Sequence, residues 1–505
     1  MENKSYKSLK SGSDIRGIAV QTEGNEVTLT VDAIYDITRA FLKWLSDRTG
    51  KQTLSVAVGQ DVRISSDAIF SAIQKSFMSS GCVLVNCGVC STPSMFMLLK
   101  DEEWDCDGSI MITASHLPYD RNGLKFFTPD GGLESGDIDA ILDMAERGEC
   151  MPRRIGDMEE KSYMDEYCRK LVEVVRKGTG KSAPLFGKRI IIDAGNGVGG
   201  FFAGKVLKQL GAITDGSINV TPDGNFPNHA PNPEDPEAIK ALADAVIAAH
   251  AELGIIFDTD VDRAAIVDGN GKLINRDNLI ALTAVTVCDG RNATIVTDSV
   301  TTDGLTDFII SLGGKHVRYK RGYRNVIGEA QRRNAAGEYT PLAMETSGHA
   351  AFADNYFIDD GAYLICRLLV VYAIQAAKKE KLSDLISSLV SPVEEKEIRV
   401  KFNENSKNFR QEGERIIAEL KYFASADKKM YPAPVNYEGI RISFGENDGD
   451  GWALARVSVH DPVMPLNFAS KQEGGVKKMA KQLYYVLDKY PFLDVSALKQ
   501  FISEK

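Results

Sequence analysis

Short β-rich apolar runs alternate with longer stretches of helical periodicity along the chain, the pattern of layered α/β domains with mixed or parallel sheets. Residues 53–59 (TLSVAVG) predict a strand, 67–81 a helix, 83–88 a strand closed by Ser91-Thr92-Pro93, and 109–115 a strand ending on polar residues. A charged, helix-like stretch over 158–178 separates this unit from the next. There, 188–195 predict a strand, 199–211 a helix, 223–235 an ordered loop rich in Pro, Asn and Gly, 237–251 a helix and 252–258 a strand. A third unit begins near Asn275, with a strand at 293–298 and helices at 302–313 and 360–379. The remainder changes texture: alternating strands at 395–402 and 441–445 and the run 451–460 suggest a smaller α+β domain. The expected boundaries are 1–155, 156–274, 275–390 and 391–505.

Composition narrows the class. A chain of 505 residues exceeds one hydrophobic core and predicts several domains. Hydrophobic residues at 43% and charged residues at 26% describe an ordinary globular protein. The net charge of -10 argues against nucleic acid or an anionic membrane as partner, yet leaves room for local basic clusters that bind a small anion. No apolar run is expected to span a bilayer, and the opening MENKSYKSLKSGSD has no apolar core segment, so the expected location is the cytoplasm. The cysteines are scattered. Cys82, Cys87 and Cys90 cluster without a second pair or nearby His to complete a zinc set, and read as buried thiols in a reducing compartment.

Four segments carry candidate chemistry. Asp258, Asp260 and Asp262 alternate at the end of an apolar strand, followed by Arg263. Like charges this close repel unless a cation neutralises them, and hard oxygen ligands suit Mg²⁺; a solvated acidic loop is the alternative. An EF-hand is excluded, because Arg263 and Gly269 stand where it needs Gly and Glu. Ser115 beside His116, with Asn122-Gly123 and Lys125 downstream, is an activated nucleophile or a turn. No Gly-x-Ser-x-Gly elbow supports a hydrolytic triad. Glu345, Ser347 and His349 around Gly348 could hydrogen-bond sugar hydroxyls, or cap a helix. Arg456-Val-Ser458 could hold an anion or be a plain strand and turn. A rival motif, Gly195-x-Gly197-x-x-Gly200 with Asp215 downstream, fits dinucleotide binding taken alone, but would leave the acidic triplet and Ser115 without a role.

The order serine loop, acidic loop, sugar loop, phosphate loop resembles the α-D-phosphohexomutases, the phosphomannomutase/phosphoglucomutase superfamily, over nearly the whole chain. SGSDIRGIAV, VAVGQDVRISS, IMITASHLPYDRNGLKFF, GNFPNHAPNPE and KRGYRNVI all resemble family motifs. The resemblance implies four domains around a central cleft, the first three sharing an α/β topology with mixed sheets. It implies a phosphoserine at Ser115, one Mg²⁺ held by that residue with Asp258, Asp260 and Asp262, and a hexose 1,6-bisphosphate as activator. Lys125 and His116 would serve proton transfer and charge stabilisation, Arg263 would hold the phosphoryl group, and His349 would lie near the reacting hydroxyl. Arg16 would face phosphate, Lys320, Glu345 and Ser347 would contact the sugar phosphate, and Arg456 and Ser458 would clamp the non-reacting phosphate. The implied activity is a mutase interconverting hexose 1- and 6-phosphates of glucose or mannose type. A phosphoglucosamine mutase, a non-catalytic phosphosugar-binding homologue and a phosphatase using Asp258 as nucleophile are the alternatives. The sequence departs from the family pattern at Leu117, Met344, Val459 and His460, and no basic residue follows Pro462. Oligomeric state is not readable from the sequence.

Overall fold

The structure is a computed structural model that describes residues 5–426, 429–458 and 461–504. The chain divides into two compact units. One holds the chain up to Val287 together with Pro341–Ile386, the other Cys288–Thr340 with Ser387 to the C-terminus.

The first unit is built on a mixed sheet of eight strands. Its centre is parallel: Ser55–Gln60 lies between Val83–Val89 and Gly108–Ile112. Arg121–Thr128 then runs antiparallel to Gly108–Ile112 and to Asp14–Ile18. Side chains alternate across a strand, so Val56, Val58, Ile110, Ile112, Leu124 and Phe126 face one core. The helices Val31–Thr49, Ser66–Met78 and Ser135–Glu146 cover it with Ile37, Phe41, Ile73 and Ile141. Thr30 caps the first of these by accepting from Ala33 N, and Gly50 ends it in the left-handed region.

A second sheet in this unit pairs Ile190–Asp193 in parallel with Leu253–Phe257, which turns back antiparallel into Ala264–Asp268 and Leu273–Ile274. The helix Pro236–Ala248 packs on it, started by the Asp235 carboxylate accepting from Glu237 N and Ala238 N. The helix Gly361–Lys378 is long and apolar enough to cross a membrane, contrary to the sequence expectation; 61% of it is buried in the protein. It packs on Met164–Thr179, where Tyr167 donates to Asp360 at 2.7 Å.

In the other unit, Thr294–Thr297 and Lys315–Arg318 form a parallel pair flanked by helices Asp303–Ser311 and Tyr323–Ala335. An antiparallel sheet follows the order Met430–Pro432, Ile440–Phe444, Gly451–Ala455, Val463–Ser470, Glu394–Phe402, Leu493–Asp494. Helices Phe409–Ala426, Gly475–Leu487 and Ser496–Ser503 bury one face of it. The α/β units with mixed sheets and the α+β C-terminal part are those the sequence predicts.

Two local readings change. Residues 158–160, expected to begin a helix, belong to the edge strand Asp157–Glu160 beside Val83–Val89. Charge suits an exposed sheet edge as well as a helix. The stretch 199–211 is not a regular α-helix: 3₁₀ turns flank a π-helical segment, Phe202–Leu207. A Cβ on Gly200 would lie 2.1 Å from Val220 O, and one on Gly199 3.2 Å from Phe257. Tight packing against the second sheet therefore overrides helical propensity there.

The loop over 223–235 is fastened by His229, whose Nε2 meets the buried Asp193 carboxylate at 2.8 Å and whose Nδ1 meets Ala230 O at 2.9 Å. Burial pushes the imidazole pKa down, but bonds to Asp193 and Ala230 outweigh it and leave the pKa raised. A raised folded-state pKa means the contribution is complete below the unfolded pKa of about 6.5 and fades as pH rises through the folded value. His229→Gln therefore lowers the melting temperature more at pH 6 than at pH 9. Equal losses at both pH values would show that the imidazolium is not what holds the loop.

Candidate active site

Ser115 follows the strand Gly108–Ile112 in a left-handed backbone conformation, φ +53°, that is costly for a residue with a Cβ. Arg63 holds it there. This guanidinium, with a side chain 0% exposed, donates to the carbonyls of Ser115 (2.5 Å), Leu117 (2.6 Å), Pro118 (2.6 Å) and Arg121 (3.0 Å), while its Nε meets Asp61 at 3.1 Å. A rigid fork of five N–H donors suits this task; a lysine ammonium does not. Below it, Asn122 donates to Ser65 and Ser66 at the start of the helix Ser66–Met78.

The hairpin between Leu253–Phe257 and Ala264–Asp268 presents Asp258, Asp260 and Asp262 to the same point. One oxygen from each lies within 4.8 Å of the others, and the residues are 0%, 0% and 3% exposed. Ser115 Oγ donates to Asp258 Oδ2 at 2.9 Å and lies 3.4 Å from His116 Nδ1. Lys125 donates to Asp260 at 3.3 Å and to Asp262. The Thr92 hydroxyl also donates to Asp260, and Thr92 N donates to its carbonyl at 2.9 Å. Arg263, 1% exposed, donates from Nε to Asp258 at 3.2 Å, and its Nη1 lies 3.4 Å from Asn232 Oδ1 and 3.6 Å from Glu234.

These bonds leave Asp260 Oδ1, Asp262 Oδ1 and Arg263 Nη2 buried with no hydrogen-bond partner. Buried unsatisfied groups are costly. Two orphaned carboxylate oxygens beside a third carboxylate fit a hard divalent cation, and an orphaned guanidinium nitrogen fits an anion next to it. Among the described residues this is the one His, Cys, Asp or Glu group with metal-ligand spacing. The electrostatics agree. Burial raises the Asp258 pKa well above the carboxylate range, with Asp262 and Asp260 adding to it. Burial also pushes on Asp262, but Lys125 foremost, with Arg263, holds it below that range.

The turn between Leu342–Met344 and Ala350–Phe352 reaches the same place. Arg263 and His349 form an antiparallel bridge, and Gly348, at φ +93°, has room for no Cβ because Ala264 O would be 2.7 Å away. His349 Nδ1 lies 2.8 Å from Ser347 Oγ and 3.8 Å from Glu345, and its Nε2 is 3.9 Å from Asp262. Burial first, then Arg263, Lys125 and His116 against the pull of Asp262, holds its pKa well below the usual value, so the ring is neutral. Burial, Arg263 and Arg16 push His116 down to about 3. Arg16 lies on Asp14–Ile18 opposite Gly123 and pairs with Asp14 at 2.8 Å.

The first unit thus brings together Ser115, His116, Lys125, the aspartates, Arg263, Glu345, Ser347 and His349, with Arg16 on the neighbouring strand. Lys320, Arg456 and Ser458 belong to the other unit. Lys320 is exposed on the loop after Lys315–Arg318, and Arg456 is 9% exposed after Gly451–Ala455. Ser458 donates from its backbone N to Val463 O. Val459 and His460 lie outside the described residues.

Arg63 and Thr92 are additions to the residues singled out by sequence. Arg63 lies in VAVGQDVRISS and Thr92 in a Ser-Thr-Pro turn, and the spacing of neither reveals its long-range partner. The dinucleotide reading loses its ground. A Cβ on Gly195 would lie 2.8 Å from Pro231, and one on Gly197 2.7 Å from Thr259 O; protein, not a pyrophosphate, approaches these glycines. Asp215 is exposed.

Comparison with known proteins gives three family matches in order. These are Phosphoglucomutase/phosphomannomutase, alpha/beta/alpha domain I over residues 7–149, domain II over 165–271 and domain III over 275–393. A phosphoglucomutase of Neisseria meningitidis serogroup A is 32% identical over 486 residues, covering 95% of this chain and 96% of its own. A phosphomannomutase/phosphoglucomutase of Pseudomonas aeruginosa is 29% identical, covering 92% of each. The crystal structure of a phosphoglucomutase/phosphomannomutase family protein from Burkholderia thailandensis superposes with TM-score 0.79 at 26% identity, over 96% of this chain and 98% of that one.

Two outcomes test the geometry. Titration with Mn²⁺, followed by electron paramagnetic resonance, yields one bound ion per chain. Asp260→Asn weakens it by at least about tenfold, since even outer partners of a metal ligand are worth about 10–100-fold; unchanged binding would place the ion elsewhere. Arg63→Met leaves the carbonyls around Ser115 unsatisfied, so limited proteolysis cuts within 115–121 under conditions that spare the wild type, and Arg63→Lys does not restore protection.

Proposed function

The chain belongs to the phosphoglucomutase/phosphomannomutase family of α-D-phosphohexomutases, and from that premise we propose that it interconverts hexose 1-phosphate and hexose 6-phosphate, of glucose or mannose type, through phosphoserine 115 and a 1,6-bisphosphate. The observation that carries this reading is Ser115 Oγ bonded to Asp258 at the edge of a carboxylate trio with two unpartnered oxygens. Phosphoryl transfer needs positioning and charge neutralisation more than covalent help. Asp258, Asp260 and Asp262 with the phosphate of Ser115 would hold one Mg²⁺, which supplies Lewis-acid charge at the phosphoryl oxygens.

The chain's own residues divide the remaining work. A free hydroxyl of the hexose 1-phosphate attacks phosphorus, a P–O bond to the sugar forms, and the bond from phosphorus to Ser115 Oγ breaks. The neutral ring of His349, oriented by Ser347, would accept the hydroxyl proton, Lys125 would neutralise the serine oxygen as it departs, and His116, 3.4 Å from that oxygen, would share a proton with it through a hydrogen bond. The unpaired Nη2 of Arg263 would bind the moving phosphoryl group, with Arg16 nearby. Glu345 and Ser347 would take sugar hydroxyls, while Lys320, Arg456 and Ser458 would hold the phosphate that stays. The bisphosphate then returns its other phosphoryl group to Ser115, regenerating the enzyme. A hexose 1,6-bisphosphate therefore serves as activator of unphosphorylated protein. We further propose domain boundaries at 1–155, 156–274, 275–390 and 391–505, and a cytoplasmic location.

A panel of glucose, mannose and glucosamine 1-phosphates, each with a catalytic amount of the corresponding 1,6-bisphosphate, tests the activity. Glucose or mannose 6-phosphate is the expected product, phosphopeptide mass spectrometry finds the phosphate on Ser115, and Ser115→Ala lowers kcat by at least about 1,000-fold. Turnover of glucosamine 1-phosphate alone would move the chain to the glucosamine type, and no product from any sugar would reject a mutase.

A further inference from the structure

The final loop of the family pattern supplies small and hydroxyl-bearing donors and a basic residue after its proline, which this chain lacks. The second unit carries a different cationic group at the same corner. Directly opposed residues of neighbouring strands share a face, as do residues two apart. Glu397 opposes Asn467, and Arg399 opposes Pro465. Arg456 N donates to Pro465 O at 3.3 Å, continuing the pairing of Ala455 with Leu466. Glu397, Arg399 and Arg456 thus project to one side of the sheet, the side away from its helical core.

A second element closes on this corner. Gly439, at φ +55°, approaches so closely that a Cβ would sit 2.9 Å from Arg456 Cα, which sets the neighbouring Glu438 beside Arg456. The Glu438 carboxylate accepts from Arg321 N at 3.2 Å and from Ser299 Oγ at 2.5 Å. Tyr319 packs against Tyr437, the rings tilted at 51° with centroids 4.7 Å apart. These contacts dock the loop over 319–323 onto the corner and bring Arg321 to Arg456. Arg399 donates from Nε to Glu397 at 2.9 Å, and the charge of Arg321 acts on both Glu397 and Arg456. Arg456 is 9% exposed, and its Nε is buried with no hydrogen-bond partner. Burial lowers its pKa, Glu438 opposes most strongly, and Arg321, Glu397 and Arg399 act on it in turn, which places all four charges around the Arg456 guanidinium.

We propose that Arg321, backed by Arg399, forms with Arg456 a guanidinium clamp for the phosphate monoester that is not being transferred, in place of the donors missing from the last loop. This rests on the phosphosugar reading above. It makes Arg321 a binding residue, set on its loop by the Glu438 carboxylate. Two or more forks around one dianion give short, charge-assisted bonds.

Steady-state kinetics on Arg321→Ala and Arg321→Lys, together with calorimetric titration by inorganic phosphate, test it. Arg321→Ala raises KM for the hexose 1-phosphate by about tenfold or more, the size of a lost charged hydrogen bond, and leaves kcat within about threefold. Arg321→Lys recovers part of the loss, and Arg399→Ala raises KM by a smaller factor. Wild-type turnover with an unchanged KM in Arg321→Ala would overturn the clamp and leave the mutase standing. If the wild type turns over no sugar phosphate, the functional reading falls and the phosphate titration decides the clamp. Weaker binding in Arg321→Ala than in wild type supports it, and equal binding, or none in either, overturns it. Circular dichroism of both variants, matched to wild type, guards against a folding defect.

Discussion

Three carboxylates forced to one buried point are the constraint around which the first unit is arranged. Asp258, Asp260 and Asp262 repel one another, and burial strengthens the repulsion. The protein answers with Arg263, next in sequence, and with Lys125, the Thr92 hydroxyl and Ser115, drawn from strands and loops distant in sequence. The answer is incomplete, because two carboxylate oxygens are left over. That deficit is useful: it gives a cation a place and lends the serine hydroxyl a charged partner. Breaking any one of these contacts leaves a buried charge uncompensated, which is why the site and the fold around it stand together.

Much of this was legible in the order of residues. An apolar strand running into alternating aspartates has few structural explanations, and Ser115-His116 at a strand end pointed to the same chemistry. The cluster of a Glu, a hydroxyl and an imidazole around Gly348 was legible as polar residues on one turn, but sugar binding and helix capping explained it equally well. What stayed hidden depends on distance in sequence. Nothing local to Arg63 says that its donors reach carbonyls from Ser115 to Arg121. The edge strand Asp157–Glu160 hides because four charged or apolar residues suit a helix end equally well, and only Val83–Val89 decides the matter. The irregular stretch over 199–211 has a helical pattern, but Val220 O and Phe257 press on its glycines.

The two units solve similar electrostatic problems in opposite ways. In the first, excess negative charge is concentrated and invites a cation. In the second, Arg321, Arg399 and Arg456 gather positive charge around Glu397 and Glu438. The overall charge of -10 conceals this division, since neither cluster dominates the sum.

The burial of Ser115 bears on how the phosphate proposed for it would first arrive. The residue is 3% exposed, and Arg63 clasps its carbonyl together with those that follow. A protein kinase needs an extended, pliable segment to thread through its own groove, and this turn is neither. Under the function proposed above, priming would therefore fall to a compact donor molecule that diffuses in.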